Sequence, residues 1–155
     1  MRTIKRIIIH HTASSRDKTT LEMINTWHKA RWPEFVSTLG YNIGYHWVIG
    51  NNWIKQTRLD NEDGAHCLGH NEDSIGICFT GNFENEIPTQ YQLDEAKKLI
   101  VELCIKYGLR DSNVYLHREL SRTLCPGKNI TKNMLVGTKD IREILISIIN
   151  KLLKK

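Results

Sequence analysis

The sequence predicts one α/β domain over residues 1–155, a central mixed β-sheet flanked by about three α-helices. Three observations carry this expectation. Apolar, β-branched runs of strand length alternate with stretches of helical periodicity. Two of those stretches open on capping-box patterns. The 155 residues, 40% hydrophobic and 25% charged, suffice for a single core without disulfide or metal staples.

Taken in order, Lys5 to Ile9 reads as a strand buried on both faces, with His10 emerging at its carboxyl end. A polar loop from Ser14 to Lys18 leads to Thr19 and Glu22, a capping box for a helix from about Thr20 to Ala30 whose inner stripe is Leu21, Ile24 and Trp27-His28. Pro33 and Gly40 mark the loop that ends it. Gly44 to Ile49, then Gly50-Asn51-Asn52, then Trp53 to Thr57 predict two strands joined by a tight turn. Ser74 to Thr80 is a further buried strand in which Gly76 implies close approach of another group. Thr89 and Gln92 cap a helix with a stripe of Leu93, Ala96, Ile100, Leu103 and Tyr107, closed by Gly108. Val114 to Leu116 is a short strand that sets His117 at its end. From Thr138, Ile141, Ile144-Leu145, Ile148 and Leu152 predict a final amphipathic helix over 138–154 with lysines in its last turn.

Composition narrows the function classes. The longest apolar run falls short of the roughly 18 residues that span a bilayer, and the basic-then-apolar start is too short for a secretory signal. Synthesis in the cytoplasm is therefore expected. Cys67, Cys78, Cys104 and Cys125 show no paired spacing, so no disulfide framework is implied. A formal charge of +5 suits an anionic partner: nucleic acid, a membrane surface or an acidic polymer such as a bacterial cell wall. Without an arginine-rich arm or finger-like Cys/His repeats, a nucleic-acid partner is not expected.

The residues that carry chemistry are His10, His117 and Cys125, each at the end of an apolar run where a sheet delivers side chains to a common rim. Two imidazoles and a thiolate suit a tetrahedral zinc ion and leave the fourth position to water, as in catalytic sites. The turn Cys125-Pro126-Gly127 would halt the chain and aim the thiolate.

Read together with Gly44-Tyr45-His46, Gly64-Ala65-His66, Asn71 to Ile77 and His117-Arg118-Glu119, these residues make the chain resemble the zinc N-acetylmuramoyl-L-alanine amidases of the peptidoglycan-recognition and small phage-lysozyme type. The resemblance covers roughly residues 4–127. It implies a zinc site in a surface groove at the sheet rim and cleavage of the amide between N-acetylmuramic acid and L-alanine in bacterial peptidoglycan. It also implies His10, His117 and Cys125 as zinc ligands with His11 outside the set, which agrees with the alternation of side chains along a strand.

By the same resemblance Tyr45 is the active-site tyrosine, placed to donate to a tetrahedral oxyanion or to position the attacking water. Thr123 stands where phage members commonly carry lysine and animal members threonine, so it offers a neutral hydrogen bond in place of a cation. Arg122, next to it, is not a substitute because neighbouring side chains diverge. His66 is a pocket wall, a proton handler or a structural residue. Trp32, Tyr41, Asn42 and Asn71 are candidate groove residues for glycan and peptide, and Pro33 to Leu39 is longer than the corresponding loop of compact members.

The expected partner is peptidoglycan, met by a monomer after release or export to the cell wall, as for a phage endolysin or a bacterial lytic enzyme. Membrane contact through the basic last helix (Lys151, Lys154, Lys155) is the lesser expectation beside packing on the sheet. Two rivals stand: a non-catalytic peptidoglycan-binding module, which typically lacks a ligand such as Cys125, and an amidase that also binds a polymerase as regulator.

Overall fold

The first strand sits at the middle of the sheet because everything from Ile7 to His11 is buried and its isoleucines suit cover on both faces. The computed structural model describes residues 2–137 together with Ile146, Ile149, Asn150 and Leu153. In it β1 (Arg6–His11) pairs in parallel with β4 (Ser74–Phe79) on one side and β5 (Val114–Leu116) on the other. β2 (Trp47–Ile49) runs parallel to β4, and β3 (Ile54–Gln56) closes the edge antiparallel to β2. The order is β3-β2-β4-β1-β5, a mixed sheet as expected.

Strand alternation divides the core. Ile7, Ile9, Ile49, Ile75 and Ile77 pack with Ala96, Leu99, Ile100 and Leu103 of α2 (Gln90–Tyr107), while Val48, one residue from Ile49, joins Ile24 and Ile43 on the side of α1 (Leu21–Arg31). α2 has both bonds of the Thr89/Gln92 capping box and ends at Gly108, whose φ of 65° is the left-handed conformation glycine adopts without cost. The buried Gln92 amide also donates to the carbonyl of Thr80, tying the helix start to the end of β4.

Several boundaries differ from expectation. α1 is capped by Thr20, whose hydroxyl accepts from the Met23 amide, and not by Thr19. Thr19 is buried and donates its hydroxyl to the Ser15 carbonyl, so it serves the preceding loop. Trp27, expected in the inner stripe, is exposed. β1 runs on through His10 and His11, whereas the Gly44-Tyr45-His46 segment lies outside β2. It packs instead on the Gly64–His66 segment, where a Cβ on Gly44 would fall 2.3 Å from the Ala65 oxygen. A short α3 (Lys132–Leu135), absent from the sequence reading, inserts Leu135 into the core. The helix expected over 138–154 lies outside the described residues apart from the helical positions Ile146, Ile149, Asn150 and Leu153. No described helix is long and apolar enough to cross a membrane, and all four cysteines are free.

Candidate metal centre and groove

The parallel register builds the site. Ile9 lies opposite Leu116, so the residues that follow, His10 within β1 and His117 just past the end of β5, stand side by side with ring centroids 4.5 Å apart. The carboxyl ends of parallel strands are where open α/β sheets collect ligands. Cys125 arrives on the loop that follows, and its Sγ stands 3.7 Å from His10 Nδ1. That loop is stapled by Arg118, whose amide donates to the Cys125 carbonyl and whose guanidinium donates to the carbonyls of Gly127 and Ile130, the latter two each at 2.8 Å. Gly127, at φ 94°, lets the turn press onto the Phe83–Glu84 backbone, which a Cβ would meet at 2.4 Å.

One ligand atom from each of His10, His117 and Cys125 falls within 4.8 Å of the others. Ligands held at about 2.0–2.3 Å by one tetrahedral zinc lie about 3.3–3.8 Å from each other, so the set is close to ready for an ion. His117 Nδ1 is buried without a hydrogen-bond partner, the condition of a donor atom whose partner is a cation. His11 is directed away: its Nδ1 accepts from the Phe83 amide on the α2 side. Its backbone N–H instead donates to Cys125 Sγ at 3.4 Å, a contact that favours the thiolate.

Burial governs the electrostatics. It holds His10, His66 and His117 below the usual histidine range, and raises the Cys125 thiol to about 11. The imidazoles are therefore neutral donors of lone pairs, and a metal must displace the thiol proton as it binds. Tyr45 is pushed well above 10 by burial, so its phenol stays a hydrogen-bond donor; its ring lies 5.2 Å from that of His10. Its hydroxyl neighbours the buried Cys78 thiol, a weak partner that a developing oxyanion can replace.

These groups open onto a groove of about 960 Å³. Of the residues singled out from sequence, His10, His117, Cys125, Tyr45, Thr123, His66, Asn71 and Trp32 line it. Thr123 Oγ1 accepts from the Cys125 amide, which leaves its proton free to donate into the groove. Asn71 reaches the lining, yet its Oδ1 already accepts from the amides of His66 and Cys67 at 2.9 Å each, so it shapes the loop that presents His66. Two expectations are corrected. Tyr41 is not in the lining and packs against the Ile24, Ile43 and Val48 cluster, and Asn42 is buried, donating to the carbonyls of Trp32 and Pro33. The Pro33–Leu39 segment adds no lining residue either; Arg58 stacks on Phe35 at 3.9 Å and holds it down.

Sequence reasoning passed over His28 and Arg31, which line the groove from the last turn of α1, and Leu68 and Leu124, which stand exposed on its rim. His28 read as one more apolar position of the stripe. The available signal was its place one turn from Trp32, which puts His28, Arg31 and Trp32 on adjoining positions at the helix end.

The family model described as N-acetylmuramoyl-L-alanine amidase, Amidase_2, matches residues 1–128. The chain belongs to this amidase family. Peptidoglycan-recognition protein SC2 of Drosophila simulans is 34% identical over 126 residues, 79% of this chain and 68% of that protein. Drosophila simulans protein SD is 37% identical over 89 residues, and the aligned part spans about half of it, 48%. Among solved structures, the N-acetylmuramoyl-L-alanine amidase LysC from Clostridium intestinale is similar at a TM-score of 0.73 and 28% identity, with 94% of this chain and 85% of that one covered. A structure of tracheal cytotoxin bound to the ectodomain complex of peptidoglycan recognition proteins LCa and LCx is similar at 0.70 and 30% identity, covering 83% of this chain and 79% of that one. The Amidase_2 fold therefore carries both amidases and recognition proteins, and the groove chemistry has to decide between those roles.

Proposed function

We propose that the protein is a zinc-dependent amidase that hydrolyses the bond between N-acetylmuramic acid and L-alanine in peptidoglycan, acting on the cell wall as an endolysin or bacterial lytic enzyme after release or export. The observation that carries this reading is the donor set of His10, His117 and Cys125, gathered within 4.8 Å, with the Nδ1 of His117 buried and without a hydrogen-bond partner. Cys125, half-buried beside His10, is the ligand that a binding-only module typically lacks.

Zinc held there supplies a Lewis acid and a bound water whose pKa falls toward about 7. The chain's own residues do the rest. The groove takes the glycan and stem peptide past Trp32 on one wall and the Leu68 and Leu124 rim. As charge develops on the scissile carbonyl oxygen, the Tyr45 phenol and the Thr123 hydroxyl donate to it, both preset by burial or by a backbone bond and needing little reorganisation. Among the described residues Arg31 is the one permanently cationic side chain of the lining and no lysine joins it, so Tyr45 and Thr123 act as neutral donors beside the charge that a bound zinc would supply.

The test is digestion of purified muropeptides by zinc-loaded and chelator-treated protein, with products read by mass spectrometry. Release of the intact stem peptide by the zinc form alone is expected. Stem peptide released equally after chelation, or none released by protein with stoichiometric zinc, overturns the reading.

A further inference from the structure

We infer that His66 and Ser74 are positioning residues that fix the tautomer of His10, presenting its Nδ1 lone pair to the metal. This rests on the zinc site proposed above and adds to it residues that are not ligands.

Single protons decide the tautomers. The Ser74 hydroxyl donates to the His70 carbonyl at 2.6 Å, and a hydroxyl has only one proton. Toward His66 Nε2, 3.3 Å away, Ser74 Oγ can therefore only accept, which places the ring proton of His66 on Nε2. In a neutral imidazole the other nitrogen is then a lone pair. His66 Nδ1 lies 2.9 Å from His10 Nε2, so that nitrogen of His10 must carry its proton. What remains on His10 is the lone pair of Nδ1, the atom that stands 3.7 Å from Cys125 Sγ. Metal-bound histidines are commonly held this way by a hydrogen bond from the other ring nitrogen, which sets orientation and basicity. Here the partner is a second imidazole.

The fold keeps His66 where the relay needs it. Its ring lies in a cradle of two glycines, so that a Cβ on Gly64 would come within 2.4 Å and one on Gly76 within 2.7 Å of ring carbons. Its amide is pinned by Asn71, and it meets His10 edge-on at 84°. Ser74 opens β4, and its carbonyl accepts from Arg2 at 2.6 Å, which fixes the far end. A residue that served only as a groove wall would need neither the glycine cradle nor the serine behind it.

Two measurements test the relay. In metal-free protein, long-range proton–nitrogen NMR correlations of labelled histidine should show His10 and His66 both as Nε2–H tautomers; His10 found as the Nδ1–H form overturns the inference. Zinc affinity, measured by competition with a chromophoric chelator, should fall about 10- to 100-fold in His66→Leu. It should stay within a few-fold of wild type in His66→Asn, whose Oδ1 can accept at the Nδ1 position. Equal affinity in His66→Leu and wild type overturns the inference while leaving the zinc reading standing. Failure of the wild type to bind zinc, or undiminished binding by Cys125→Ser, overturns the zinc reading itself.

Discussion

Acidifying the metal-free protein from about pH 7 to about pH 5 should cost stability, and His46 and His28 alone carry about 3 kcal/mol of that cost, beside what His10, His66 and His117, each held low by burial, add. His46 is fully buried; its Nδ1 accepts from the Gly76 amide at 3.0 Å and its Nε2 donates to the Glu62 carbonyl at 2.9 Å. His28 Nδ1 accepts from the Gly44 amide at 2.9 Å. Burial lowers both from 6.5 to about 4. Protonation would turn each accepting Nδ1 into a donor facing an N–H, so the fold resists it. The folded value lies below the unfolded one, and between them the unfolded chain takes up a proton that the folded chain refuses. Stability is therefore fully present above about pH 6.5 and falls as pH drops toward about 4. At about pH 5, His46 forfeits about 2 kcal/mol and His28, which keeps some solvent in the groove, about 1 kcal/mol. Urea unfolding of chelator-treated protein at a series of pH values reads this directly. His46→Asn removes one titrating group, and the pH slope near pH 5 should flatten by about 1 kcal/mol per pH unit. A slope unchanged in that variant, or wild-type stability flat over the interval, would refute the reasoning.

Tyr45→Phe should keep zinc affinity and lose about 10²- to 10³-fold in kcat, the scale of one oxyanion donor; comparison of chelator competition with muropeptide turnover separates the two effects. Gly76→Ala drives a Cβ into the His66 ring and should destabilise by about 1–3 kcal/mol while weakening zinc, seen in urea midpoints and chelator competition. Arg118→Ala removes the donors to the Gly127 and Ile130 carbonyls and should cost about 2–3 kcal/mol, with zinc affinity falling as the Cys125 loop loosens.

The strands and α2 were legible because their signals are local: isoleucine runs, a capping box, and a glycine at the helix end. The choice of His10 over His11 came from the family resemblance, with which alternation agrees, and the register of Ile9 with Leu116 explains why His117 lies beside His10. The Thr19 cap was misjudged because either threonine could cap, and the Ser15 carbonyl, offered by the loop fold, claimed Thr19. Tyr41 failed as a groove residue for a similar reason: its ring had an apolar cluster to join, which no spacing announces. Asn71 was found, but its work on the His66 and Cys67 amides depends on how the loop closes. Gly76 signalled a close approach without saying that the visitor was the His66 ring. The roles of His66, Ser74 and Arg118 lie in hydrogen bonds to distant segments, and those become readable only once the chain is folded.

The measurement closest to the central claim is a zinc-soaked crystal structure with anomalous scattering at the zinc edge. The account predicts one ion bonded to His10 Nδ1, His117 Nδ1 and Cys125 Sγ, with its fourth position open to the groove beside Tyr45 and Thr123. An ion bound elsewhere, or a fourth position closed by a protein side chain, would contradict it.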